Sequence, residues 1–193
     1  MKKDIILAGV GGQGILSIAA AIGLAAVESG LHLKQAEVHG MSQRGGAVQS
    51  HLRISDRPVA SDLIPEGECD MILSVEPMEG LRYLPFLHSN GWLVTNSVPF
   101  VNIDYYPEIE EVKSAIRKIR NHILIDADAI ATGLGSVKVS NMVMLGAASG
   151  ILGLDPGILE KSIRTLFERK GEELVRLNIQ AMHSGRDAAE KKG

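Results

Sequence analysis

The chain has 193 residues, 45% of them hydrophobic, and a formal net charge of −3. That length suits one domain of ordinary size with a substantial core, and the slight acidity argues against the basic surface of a nucleic-acid binder. A single cysteine, Cys69, excludes an internal disulfide and any iron–sulfur or zinc site built from cysteines of this chain alone.

No apolar stretch approaches the roughly 18 residues that a membrane span requires. The start, Met1-Lys2-Lys3-Asp4, leads into an apolar run that glycines interrupt at once, unlike a signal peptide. A cytoplasmic protein is expected.

Residues 4–9, DIILAG, are predicted to form a short buried strand closed by glycine. GVGGQG then opens a helix over roughly residues 13–29, apolar on nearly every side and therefore in need of cover on several sides. Ser29-Gly30 ends it. Residues 34–39 and 47–54 alternate: Gln35, Glu37 and His39 against Ala36 and Val38, then Gln49, His51 and Arg53 against Val48, Leu52 and Ile54. This predicts an antiparallel pair with one wet or partner-facing side. SDRP at 55–58 is expected to turn into another short strand at 59–64.

Buried-strand patterns recur at 70–75, 91–95 and 122–126, with helical patterns near 77–88 and 108–120. Strands alternating with helices imply βαβ units and a mostly parallel sheet. The C-terminal third is predicted helical. Ser140 is placed to cap NMVMLGAASGILGL, Asp155-Pro156 to start the next helix, and a last helix from about 171 carries Leu174, Leu177, Ala181 and Met182 on one stripe. The fold class is therefore α/β: a single layered domain over 1–193, with a mostly parallel sheet, an antiparallel pair near residues 34–64, a helical C-terminal third and a frayed tail from about 185.

Gly9-x-Gly11-x-x-Gly14 lies between a predicted strand and a predicted helix. That context fits a tight packing turn, an anion site at a helix N-terminus, or an NAD or FAD site. A dinucleotide site wants a buried second strand ending in an acid; here that strand is half polar and Glu37 lies inside it. The second motif is His39-Gly40-Met41-Ser42-Gln43-Arg44-Gly45-Gly46. Three glycines around a polar centre permit close backbone approach, and the Arg44 guanidinium is a planar fork suited to a carboxylate or phosphate. A solvated hairpin loop is the plainer alternative.

The histidines at 32, 39, 51, 88, 122 and 183 show no metal-ligand spacing, and a His39–His51 pair across strands is the one conceivable cluster. No Gly-x-Ser-x-Gly elbow supports a serine nucleophile. Asp126 and Asp128 follow a strand and suit a helix cap better than a ligand. Gly146 and Gly150, four apart among small residues, point to close helix packing, within the chain or against another subunit.

With GVGGQG at its start and EVHGMSQRGG beyond the first helix, the chain resembles the small gamma-type subunit of 2-oxoacid:ferredoxin oxidoreductases. The HGMSQRGG form is similar to that of the indolepyruvate members, called the beta subunit there, whereas pyruvate-type members tend to carry a Tyr-Gly-Pro version. The resemblance covers about residues 3–185.

It implies a complex that decarboxylates a 2-oxoacid on thiamine diphosphate, passes two electrons through iron–sulfur clusters to ferredoxin and transfers the acyl group to coenzyme A. The chain has no Gly-Asp-Gly…Asn pattern for thiamine diphosphate and one cysteine where a four-iron cluster takes four. Both cofactors are thus expected on a larger partner subunit, with no catalytic residue and no metal on this chain. Gly11, Gly12, Gln13 and Gly14, with Ser42, Gln43, Arg44, Gly45 and Gly46, are expected to contact a phosphate of coenzyme A or the partner. Two alternatives are a free-standing NAD(P)- or flavin-binding module and a purely structural partner protein.

Overall fold

The computed structural model describes residues 1–39, 45–101, 103 and 105–191. Six strands of the described residues form one mixed sheet: β1 (Lys2–Val10), β2 (His32–His39), β3 (Ala47–Ser55), β4 (Cys69–Ser74), β5 (Leu87–Asn96) and β6 (His122–Ile125), in the order β2-β3-β1-β4-β5-β6. The β1, β4, β5 and β6 pairings are parallel, whereas β3 is antiparallel to both β1 and β2. Among the described residues seven α-helices accompany them: α1 (Ile15–Glu28), α2 (Pro77–Arg82), α3 (Ile109–Arg117), α4 (Ala127–Gly133), α5 (Ser140–Leu152), α6 (Pro156–Phe167) and α7 (Glu172–Glu190). The expected α/β class, antiparallel pair and helical C-terminal third are all present.

Strand alternation splits the core in two. Ile5, Leu7, Leu52, Ile54, Met71, Leu73 and Val94 face one layer, covered by α1 and the C-terminal helices. Ile6, Ile72 and Leu93 face the other, against Val112 and Ile116 of α3. The large first layer explains why α1 needs almost no polar face: it packs on the sheet, α5 and α6 at once.

Several expectations are corrected. Residues 59–64 form no strand. Instead the Arg53 guanidinium donates to the carbonyls of Ser61 (3.1 Å) and Leu63 (3.0 Å), and Ile64 N–H donates to His51 Nδ1 (3.0 Å), so side chains of β3 hold this segment where a ladder would. The predicted helix at 77–88 stops at Arg82, because Pro85 lacks the N–H to continue it; a 3-10 turn over Leu84–Phe86 leads into β5. Val139, not Ser140, occupies the cap position of α5, and no side chain caps it. The tail expected to fray is helical through Glu190 and buries Ala189.

The two half-polar strands do not share a polar side either. In the register Gln35 pairs with Leu52, Glu37 with Ser50 and Val38 with Gln49, so their polar sets fall on opposite faces. His39 pairs with Val48 and His51 with Ala36, which removes the conceivable histidine pair. The other caps hold: Asp155 Oδ1 accepts from Gly157 N–H (2.9 Å) and Ile158 N–H (3.1 Å), and Asp126 Oδ1 accepts from Ala129 N–H (2.8 Å).

Candidate functional site: the carboxyl edge of the sheet

In open α/β sheets ligands bind outside the carboxyl ends of the strands, near the point where strand order reverses. Here the chain leaves β1 for β2 on one side and adds β4, β5 and β6 on the other, so that point lies between β1 and β4. The glycine turn sits there. Gly12 and Gly14 adopt positive φ (102° and 81°), which glycine alone tolerates freely. Gln13 Oε1 accepts from Val10 N–H (2.8 Å) and Gln13 N–H donates to Val10 O (3.1 Å), fixing the turn from both sides. Gly14 precedes α1, and a Cβ there would lie 2.5 Å from Asn141 Nδ2. Asn141 donates to Gly14 O (3.2 Å), so α5 is seated directly on the start of α1.

The two glycine motifs meet. Gly11 N–H donates to Gly46 O (2.8 Å), and Gly45 N–H donates to Gly11 O (3.3 Å). The end of the arginine loop is therefore bonded to the turn after β1, and Gly45 also takes a positive φ of 78°. Ser42, Gln43 and Arg44, with Gly40 and Met41, lie outside the described residues. Beside the turn a cleft of about 400 Å³ is lined by Gly12, Gln13, Gly14, Val137, Lys138 and Ser140.

Three buried polar residues of this edge are not singled out by the motifs. Glu76, 1% exposed at the end of β4, gathers three donors. Its Oε2 accepts from Glu79 N–H (2.8 Å); its Oε1 accepts from Phe100 N–H (3.3 Å) and the Tyr106 hydroxyl (2.5 Å). Burial, together with the Glu76 carboxylate, pushes the Tyr106 phenol well above its ordinary value. Asn96, at the end of β5, accepts from Ala127 N–H (3.1 Å) and orients α4. Asn141 is the third.

An acid followed by proline after a buried strand is a legible helix start, so Glu76-Pro77 carried a signal for the cap, though not for the contacts to Phe100 and Tyr106. Asn141 carried none, because Gly14 is 127 residues away in sequence.

The site does not fit two cofactor arrangements. Cys69 is fully buried, its thiol donates to Met71 O (3.0 Å), and burial pushes its pKa to about 12, far from the thiolate a cluster needs. Among the described residues no group of three or more His, Cys, Asp or Glu side chains could hold a metal ion. A dinucleotide site also lacks its geometry: β3 intervenes between β1 and β2, so Glu37 is two strands from the glycine turn, roughly 10 Å at ordinary strand spacing. No helix among the described residues is long and apolar enough to cross a membrane.

A mixed α/β sheet with paired glycine turns at its carboxyl edge defines the class: a small α/β protein of the open-sheet type. The pyruvate ferredoxin/flavodoxin oxidoreductase family model matches residues 4–188, and the chain belongs to that family. It is 37% identical to the indolepyruvate oxidoreductase subunit IorB of Archaeoglobus fulgidus, over 98% of this chain and 96% of that protein. The gamma subunit of a keto/oxoacid ferredoxin oxidoreductase from Geobacter sulfurreducens superposes with a TM-score of 0.70 at 25% identity, covering 98% of this chain and 99% of that one.

The 2-oxoglutarate:ferredoxin oxidoreductase of Magnetococcus marinus, solved with 2-oxoglutarate, coenzyme A and succinyl-CoA bound, shares the fold with a TM-score of 0.77 at 21% identity. There this chain covers 31% of a longer polypeptide.

Proposed function

We propose that the chain is the small subunit of an indolepyruvate-type 2-oxoacid:ferredoxin oxidoreductase and carries none of its redox cofactors. The nearly full-length similarity to the Archaeoglobus indolepyruvate subunit carries this proposal. Thiamine diphosphate and the iron–sulfur clusters sit on a larger partner subunit, where they supply decarboxylation and electron transfer to ferredoxin, with coenzyme A as acyl acceptor. The single cysteine of this chain and its buried, hydrogen-bonded state support that division.

The part left to this chain is shape and contact. Gly11, bonded to Gly45 and Gly46, ties the turn that also holds Gly12, Gln13 and Gly14 to the end of the loop whose sequence carries Ser42, Gln43 and Arg44. Arg44 pairs with a phosphate of coenzyme A or with a carboxylate of the partner. A buried charge left without its partner costs about 2–5 kcal/mol. Arg44→Ala is therefore expected to raise the KM for coenzyme A, or to weaken assembly, by about tenfold or more, with no change in the thermal midpoint of the isolated chain. Steady-state assays of the reconstituted complex with indolepyruvate, coenzyme A and ferredoxin test this. Wild-type assembly and kinetics in the variant would remove Arg44 from the site.

A further inference from the structure

We infer that the chain holds a binding site for a small aromatic carboxylate at the end of the sheet opposite the glycine turns, in a cleft where β6 meets α5 and α7. The cleft, of about 390 Å³, is the size of a small-molecule site. It exists because the sheet runs out. β6 is the last strand, and its first residue, His122, pairs with Leu93 of β5. Trp92 precedes Leu93, so no β6 residue stands beside it, and its side chain becomes a wall of the cleft.

Helix α5 supplies the floor. Ala147 and Ile151 line it together with Gly150, where a Cβ would meet nothing within 4 Å. The side chain missing at Gly150 keeps the space open. One turn earlier, Gly146 receives the backbone of α7, so α5 closes on α7 at one turn and stands clear at the next. Helix α7 then lends Arg186 and Glu190 to the rim.

The charges at the rim do not cancel. Arg120, just before β6, and Arg186 both border the cleft. Arg186 Nε donates to Glu190 Oε1 at 3.0 Å, which engages one edge of that guanidinium. The Arg120 guanidinium has no hydrogen-bond or ion-pair partner among the described residues. His122 donates from Nδ1 to Ile119 O at 2.8 Å. Two guanidiniums against one carboxylate leave an excess of one positive charge beside an apolar floor and an aromatic wall.

An anionic group satisfies the guanidiniums, which meet a carboxylate through paired N–H donors. A ring packs on Trp92 and the aliphatic floor. The size of the charge excess decides which anion. A phosphate monoester would bring about two negative charges to a cleft where Glu190 already answers one arginine. A monocarboxylate matches the excess. Among the described residues no Ser, Thr, Cys or Lys side chain lines the cleft, so it offers binding without a nucleophile.

Trp92 is the one tryptophan of the chain, so its fluorescence reports on this cleft. Titration of the full chain with phenylacetate is expected to change the emission saturably. Phenylacetamide, which keeps the ring and loses the charge, and acetate, which keeps the charge and loses the ring, should each bind at least about tenfold more weakly. Arg120→Ala and Arg186→Ala should each raise Kd by about tenfold. Gly150→Leu, which places a side chain in the cleft, should raise it by about tenfold or more, with the thermal midpoint of all three variants near that of wild type. No saturable response in the wild type would overturn the site. Equal affinity for phenylacetamide would overturn the anion requirement, and tighter binding of adenosine monophosphate than of phenylacetate would overturn the choice of a monocarboxylate. Wild-type affinity in Gly150→Leu and in both arginine variants would overturn the location. The subunit assignment stands apart from each of these outcomes, because it is tested on the reconstituted complex.

Discussion

His51 holds a stretch of irregular chain to the sheet through its neutral ring. Nδ1 accepts from Ile64 N–H at 3.0 Å, which leaves Nε2 to carry the proton and donate to the Gln49 side-chain amide 2.5 Å away, with that amide turned to present Oε1. Phe86 meets the ring edge-on. Burial, with a smaller push from the Arg53 charge, lowers the His51 pKa below its ordinary value, against a weaker opposing pull from Asp62.

A folded pKa below the unfolded one means the unfolded chain binds the extra proton first. The stabilisation is thus complete above about pH 6.5 and is lost as pH falls through the lower folded value. Thermal midpoints of wild type and His51→Asn should differ most above pH 7, and the gap should narrow toward pH 5. A gap independent of pH would show that His51 acts by shape alone. The sequence marks His51 as a polar residue on a strand. It does not mark its partners, because Ile64 sits in a segment whose own pattern resembles a strand.

Helices α5 and α7 show what small residues do for an element. A Cβ on Gly146 would lie 1.8 Å from Met182 O, and one on Gly185 1.9 Å from Val143 O, so each glycine receives the backbone of the other helix. Gly150, four residues on, faces open space. The two positions in one motif therefore separate. Gly146→Ala should force the helices apart and destabilise by about 1–3 kcal/mol, the ordinary range for overpacking. Gly150→Ala should stabilise by up to about 1 kcal/mol through helix propensity. Chemical denaturation of both variants checks this, and equal effects would contradict the assigned contacts.

Spacing alone made Gly146 and Gly150 equivalent; only the position of α7, whose apolar stripe was legible but whose crossing was not, distinguishes them. The helix starts at Asp126 and Asp155 were legible because local capping sets them. Ser140 was misleading for the converse reason: Asn141 bonds to Gly14 and locates α5 from a distance.

At the level of the complete fold, alternating βαβ signals were enough for the sheet class, since burial on both faces imposes them. The insertion of antiparallel β3 between β1 and β2 was not readable, because a strand pattern does not state which neighbour it joins. That insertion is what joins the two glycine motifs, Gly11 to Gly45 and Gly46, and sets Glu37, inside β2, two strands away from the place a dinucleotide would need an acid. The candidate site was thus legible as motifs but not as one object.

The most direct measurement is the iron and thiamine content of the separated subunits, with 2-oxoacid oxidation assayed on each and on the recombined complex. The chain described here should contain neither cofactor and oxidise no indolepyruvate alone, while restoring or raising activity when the larger subunit is added. Iron–sulfur absorbance in the isolated chain, or turnover of a 2-oxoacid by it alone, would contradict this assignment.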